Sequence, residues 1–154
     1  MASPGKLELV VEVKSSPDKF WESLRNTETV FLKVFPETYK SIEVVEGDGK
    51  SVGSARLFKF AEGIPLITTS KERIDEVDEA KKTMGYSVIE GELLNYFKSF
   101  KAKVAVAPKA PEGSVVTWTC EYEKTSEEVS EPEHLKDFAG QTFEELDAFL
   151  IKAN

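Results

Sequence analysis

Few residues in this sequence have the type and spacing to do chemistry. There is one cysteine, Cys120, and one histidine, His134, which excludes an internal disulfide, a Cys/His zinc centre and a CxxC redox pair. His134 falls in the first turn of the expected last helix beside Glu131 and Glu133, without a nucleophile and base around it, and reads as an exposed polar residue. Cys120 lies mid-strand on an apolar face and reads as a small buried hydrophobe, not a nucleophile. Gly49-Lys50-Ser51 has the ending of a phosphate-binding loop, but Val44 stands where the leading glycine is required, and a strand follows where a helix should. A glycine-rich hairpin loop that needs positive φ accounts for Gly47 to Gly53. No catalytic residue and no metal ligand set is assigned.

The more informative residues are polar ones on an apolar parity. Arg56, Ser70, Glu72 and Lys98 share the inward register with Phe58, Phe60, Tyr86, Tyr96, Phe100, Trp118 and Tyr122. An unpaired buried charge costs several kcal/mol, so these groups must pair, reach water or meet something bound. Two arrangements satisfy that requirement. Arg56 and Lys98 can snorkel out from strand ends above a solid core, or the sheet can present a polar spot to an internal space.

The elements that position these residues follow from periodicity. Leu7, Leu9, Val11 and Val13 alternate with charged residues, which predicts a half-buried strand. Ser16-Pro17 is a cap and first helical position, with Phe20, Trp21 and Leu24 on one face, so a short helix is expected over 17–26. A second, through Val30, Phe31 and Val34, must stop at Pro36. Strands are then expected at 42–46, 56–60, 66–75, 84–89, 94–107 and 114–124, with 62–65 a turn, 75–79 a polar connection and 108–113 a Pro/Gly turn. Leu135, Phe138, Thr142, Leu146 and Phe149 recur at helical spacing, giving a long helix over 132–152. The whole chain, 1–154, reads as one α+β domain: an antiparallel sheet whose single apolar face the last helix covers.

Charge narrows the partners. The net charge is −8, and the stretch from Glu121 to Asp147, with ten acids against two bases, carries all of it. Such a surface repels a phosphate backbone, so nucleic acid is not an expected partner. No apolar run approaches the ~20 residues that span a bilayer, and the N-terminus lacks a signal-peptide core. A cytoplasmic protein without stable membrane insertion is expected.

Several motifs taken together resemble a known family. EGDGKSVG (46–53), EGIP (62–65), KERIDEVD (71–78) and YSVIEGE (86–92) resemble the plant birch-pollen-allergen superfamily, pathogenesis-related class ten. GKLELVVEVKSSPDKFW (5–21) and VVTWTCEYEKT (115–125) are more similar to its major latex protein-like branch. The resemblance implies the helix-grip fold: a curved seven-stranded antiparallel sheet around a long C-terminal helix, with two short helices. It further implies a cavity that takes up steroids, lipids, flavonoids or hormones, and a carrier or reservoir linked to defence, stress or specialised metabolism.

Carried onto this chain, the implied ligand-binding set is Arg56, Phe58, Phe60, Glu72, Met84, Tyr86 and Val88, with Phe138, Thr142, Phe143 and Leu146 from the helix. The inward aromatics Tyr96, Phe100, Trp118 and Tyr122 join it by parity. No cofactor is implied; the expected partner is a small hydrophobic metabolite and the expected state a monomer. Two departures from the family stand out. Lys50, Ser51 and Val52 replace glycines in the loop, and the inward register of the last strand (Val116, Trp118, Cys120, Tyr122) lacks the lysine on which the family's condensing enzymes depend. A cavity cyclase or isomerase using Glu72 or a tyrosine is the alternative function, and an acidic surface that docks a protein is a third.

Overall fold

The computed structural model describes residues 4–62 and 67–152. The elements are β1 (Pro4–Val13), α1 (Pro17–Arg25), α2 (Thr27–Val34), β2 (Tyr39–Glu46), β3 (Ala55–Phe60), β4 (Thr69–Asp78), β5 (Thr83–Gly91), a 3₁₀ turn (Glu92–Asn95), β6 (Phe97–Pro108), β7 (Ser114–Lys124) and α3 (Glu133–Lys152). The strands form one seven-stranded antiparallel sheet in the order β1-β7-β6-β5-β4-β3-β2. With α3 against it and α1 and α2 completing the wall, this is the expected helix-grip architecture.

Local chemistry explains the helix starts. Ser16 caps α1, its Oγ accepting from the Lys19 amide at 3.3 Å, and Pro17 takes the first helical position. Asn26 ends α1 and begins α2 at once: its amide donates back to Glu22, while its carbonyl accepts from Val30 at 2.9 Å. The helix then closes on Phe35, before Pro36.

Register shifts move strand parity away from simple alternation, and three of those among the described residues bear on the site. β4 continues through the acidic run to Asp78, where a polar connection was expected. Asp75 is the extra residue between the pairs Ile74↔Tyr86 and Glu76↔Gly85, so Val77 still faces inward opposite Met84. Gly85 makes room there, since a Cβ would sit 2.8 Å from the Glu76 side chain. In β6, Lys98 is the extra residue between Phe97↔Lys124 and Ser99↔Glu123, which turns it outward into solvent and corrects its inward assignment. The strand begins at Phe97, so 94–96 belong to the preceding turn. In β2, a shift between Tyr39 and Ser41 leaves Tyr39 and Ile42 both facing inward. The expected turn at 62–65 and the start of the next strand at 66 lie largely outside the described residues.

One end of the molecule packs solid. Phe20 is completely buried and meets Phe143 edge-on at 6.0 Å between ring centroids, beside fully buried Leu146 and Val116. Asp147 fastens α3 to this end. Its carboxylate accepts from the Lys14 amide (2.9 Å), the Ser15 amide (2.9 Å) and the Ser15 hydroxyl (2.6 Å), closing the β1–α1 junction against the helix. Ser114 Oγ donates to the Ser15 carbonyl at 2.7 Å from the sheet side.

Candidate functional site

Towards the N-terminal half of α3 the packing opens into a cavity of about 650 Å³. Its sheet wall alternates as strands dictate. β3 presents Arg56, Phe58 and Phe60; β4, Ser70 and Glu72; β5, Met84, Tyr86 and Val88; β6, Phe100 and Val104; and β7, Trp118. The opposite wall is helical, with Leu24, Thr27 and Phe31 from α1 and α2, and Leu135, Phe138, Ala139, Thr142 and Phe143 from α3. Tyr39, Ile67 and Leu93 also line it, and the polar residues His134, Asp137 and Gln141 occupy the α3 side.

The cavity has one strongly polar place. Arg56 and Glu72 are cross-strand partners on neighbouring strands, and their charged groups come within 4.0 Å. Arg56 is only 3% exposed, lies 5.4 Å over the Phe58 ring and leaves its Nε without a hydrogen-bond partner among the described residues. Glu72 keeps 18% of its side-chain surface, directed at the cavity it lines. Burial drives its carboxyl up to about 7, against the opposing pull of the Arg56 charge. Tyr39 and Tyr86, which feel the Glu72 charge, are pushed by burial well above the ordinary phenol range and stay neutral. Tyr86 accepts a 3.3 Å hydrogen bond from Trp118 Nε1. Chemically, the described residues make an apolar chamber with the Arg56 cation, the Glu72 carboxyl, which changes charge near neutrality, and the Tyr39 and Tyr86 hydroxyls, with Asp137 and His134 on the α3 side.

Of the residues singled out from sequence, Tyr96, Tyr122 and Leu146 do not border the cavity. Tyr96 follows the 3₁₀ turn and is 39% exposed. Tyr122 is buried, but its hydroxyl reaches past the position of Gly5 to donate to Glu131, which Lys124 Nζ also contacts at 2.6 Å. That cluster ties the connection before α3 to β7. Leu146 sits in the solid end. The remaining residues, from Arg56 to Phe143, border the space together. Lys98, turned outward by its bulge, lies in water and needs no snorkelling, whereas Arg56 remains inside.

Sequence reading missed Tyr39, Phe31, Leu24 and the α3 flank of His134 and Gln141. Leu24 and Phe31 are seven apart across the α1–α2 junction, a spacing visible only if the two helices are treated as one amphipathic surface. His134 is exposed, as expected, yet its helix face also borders the cavity.

The glycine loop before β3 is organised by its own carboxylate. Asp48 accepts from the Lys50 amide (2.8 Å), the Ser51 amide (2.7 Å), the Ser51 hydroxyl (2.7 Å) and the Ser54 hydroxyl (3.1 Å). These bonds hold its carboxyl far below the usual range. The donors that could cradle a phosphate are already filled. Cys120 is 1% exposed and its thiol is pushed up to about 11, mainly by burial, so it is a poor nucleophile. Among the described residues no three His, Cys, Asp or Glu side chains converge to hold a metal ion, and no helix is long and apolar enough to cross a membrane.

Comparison with known proteins agrees with this geometry. The family model described as the pathogenesis-related protein Bet v 1 family matches residues 2–153. MLP-like protein 423 of Arabidopsis thaliana is 46% identical over 152 residues, covering 99% of this chain and 97% of that one. The crystal structure of major latex-like protein 151 from Panax ginseng superposes with a TM-score of 0.86 at 29% identity, covering 95% of this chain and 97% of the other. Norcoclaurine synthase from Thalictrum flavum, solved with dopamine and hydroxybenzaldehyde, shares the fold alone: TM-score 0.80 at 21% identity, covering 99% and 90% of the respective chains. The chain therefore belongs to the Bet v 1 family, in its major latex protein-like branch.

Proposed function

We propose that this protein is a carrier or reservoir for small hydrophobic plant metabolites of steroid, lipid, flavonoid or hormone type, held in the cavity between sheet and α3. The cavity carries the reading. At about 650 Å³ it is of the size and character of small-molecule sites, largely apolar with a few convergent polar groups. Burying ~300 Å² of apolar ligand surface supplies about 7 kcal/mol before binding costs. Micromolar affinity, about −8 kcal/mol, then needs polar contacts as well, and Arg56, Glu72 and Tyr86 are placed to make them. Phe58, Phe60, Met84, Val88, Phe100, Trp118, Phe138, Thr142 and Phe143 supply the apolar contact. A monomer acting in the cytoplasm, in defence, stress or specialised metabolism, completes the proposal.

Titration with a fluorescent apolar probe, followed by displacement with steroids, fatty acids and flavonoids, tests it. Saturable one-to-one displacement is expected, and it weakens when Phe58 or Trp118 is truncated. Absence of saturable binding across the panel overturns the reading.

One observation favours a second reading. Glu72, raised to about 7 beside Tyr86, is poised as a general acid or base for cyclising or isomerising a reactive metabolite. Product formation above the spontaneous rate, abolished in Glu72→Gln, distinguishes catalysis from carriage.

A further inference from the structure

Arg56 poses an unanswered question of charge. It is 3% exposed, and its guanidinium carries five N–H donors and no acceptor. Among the described residues it makes no hydrogen bond: Nε is buried without an acceptor, and the one charged contact, to Glu72, is 4.0 Å long. Buried pairs of such loose geometry recover little of their desolvation cost. A guanidinium matched this loosely, lining a cavity, has N–H donors to offer a further acceptor.

Resting on the carrier reading, we propose that the cavity takes its ligand as an anion, an apolar molecule bearing a carboxylate that pairs with Arg56, and that Glu72 yields the pair by taking up a proton. The charge balance requires the second step. Asp137 is exposed to water, so inside the chamber Arg56 and ionised Glu72 sum to zero; adding a carboxylate would leave one uncompensated negative charge in a low-dielectric space. A proton drawn from solvent onto the Glu72 carboxyl restores neutrality, and its burial already brings that group to about 7. The groups around it are compatible with an acid head. Tyr39 from β2 and Tyr86 from β5 remain neutral and can donate, and Ser70 lies on the same wall. On the α3 side, His134 and Asp137 are the titratable groups facing the cavity. Above neutrality a neutral ligand would leave Glu72 ionised and move no proton.

Dansyl-aminoundecanoate and its methyl ester test this as a matched pair, by fluorescence and by calorimetry in buffers of differing ionisation enthalpy. The acid is expected to bind at least about tenfold more tightly than the ester at pH 6, with an affinity that falls towards about tenfold per pH unit above neutrality. Measured above neutrality, where Glu72 is ionised before binding, its binding takes up a proton, and ester binding does not. Arg56→Gln brings the acid down to the level of the ester, and Arg56→Lys restores part of the preference. Glu72→Gln abolishes the proton uptake and the pH dependence, which assigns them to Glu72 and not to His134 or Asp137. Equal binding of acid and ester by the wild-type protein overturns the inference alone, as does proton uptake that persists in Glu72→Gln. If neither probe binds and the wider ligand panel also fails, the carrier reading falls with it.

Discussion

The two halves of α3 rest on opposite kinds of interior. Its C-terminal half presents Phe143 and Leu146 to Phe20 and is fastened by Asp147 to the β1–α1 junction. Its N-terminal half presents Leu135, Phe138, Ala139 and Thr142, all only partly buried, to the cavity. One apolar stripe thus does two jobs. Where the opposing side chains are large and the backbone is tied down, it forms a core; where the sheet opposite carries Arg56 and Glu72, it forms a wall. The solid end is the one at which α3 is fastened, and the hollow end is the one at which it is not held by that anchor.

The largest expected effect lies at the solid end. Phe20→Ala removes a completely buried ring that α3 cannot move in to replace, and should cost about 3–5 kcal/mol of unfolding free energy. Urea denaturation measures it. A loss below 1 kcal/mol would mean that the supposed core relaxes as easily as the cavity does.

The next effect belongs to the hollow end and depends on pH. The Glu72 carboxyl stands at about 7 against 4.5 for an ordinary glutamate. Between those values the folded protein binds more protons than the unfolded one, so this group makes stability fall as pH rises from 4.5 to about 7. The full difference corresponds to about 3 kcal/mol, present below that window and lost above it. Glu72→Gln should therefore be more stable than wild type above neutrality by up to that amount, with the advantage vanishing towards pH 4.5. Denaturation midpoints of both proteins across this range decide it; parallel curves would show that Glu72 is solvated like a surface carboxylate.

Asp147→Ala should rank third. It strips three hydrogen bonds to an ionised acceptor from a partly buried junction and is expected to cost about 2 kcal/mol. If the cavity is held open by this anchor, the same variant should also weaken probe binding without any change to a cavity residue. Loss of stability with unchanged binding would separate the two halves of the helix.

Much of this fold is written plainly in the sequence, and the exceptions share a cause. Alternation in 7–13 and 114–124, the Ser16-Pro17 cap and the helical stripe after Pro132 all gave elements close to those found. What alternation cannot reveal is where it is interrupted. A two-residue period carried through a bulge puts Lys98 on the inward face, and the same device hides Val77 among acids so that 75–79 reads as a connection. The cavity lining is legible where strands run true, as at Arg56, Phe58, Glu72 and Tyr86. It was not legible at Tyr39, whose inward position depends on another register shift, or at Tyr122, whose buried hydroxyl is claimed by Glu131 from outside its strand. Parity tells which face a side chain leaves from, not whether space or a partner awaits it. That is why Leu146 and Phe138, on one stripe, end in different surroundings.

Phe138→Ala is the smallest expected change in stability and the sharpest test of that contrast. Phe138 and Phe20 are the same residue, each facing inward from a helix, so transfer free energy alone would give them similar costs. Phe138 differs in that part of its ring faces open space. Contacts that were never made cannot be lost, and no new void with rigid walls is created. Its truncation should therefore cost less than about 1 kcal/mol while widening the cavity and lowering the affinity of an apolar probe several-fold. Stability and binding, measured on the same preparation, should move in opposite proportion to those of Phe20→Ala. A destabilisation of Phe138→Ala as large as that of Phe20→Ala would mean that α3 is packed as densely over the sheet at its start as at its end, leaving no chamber for Arg56 to serve.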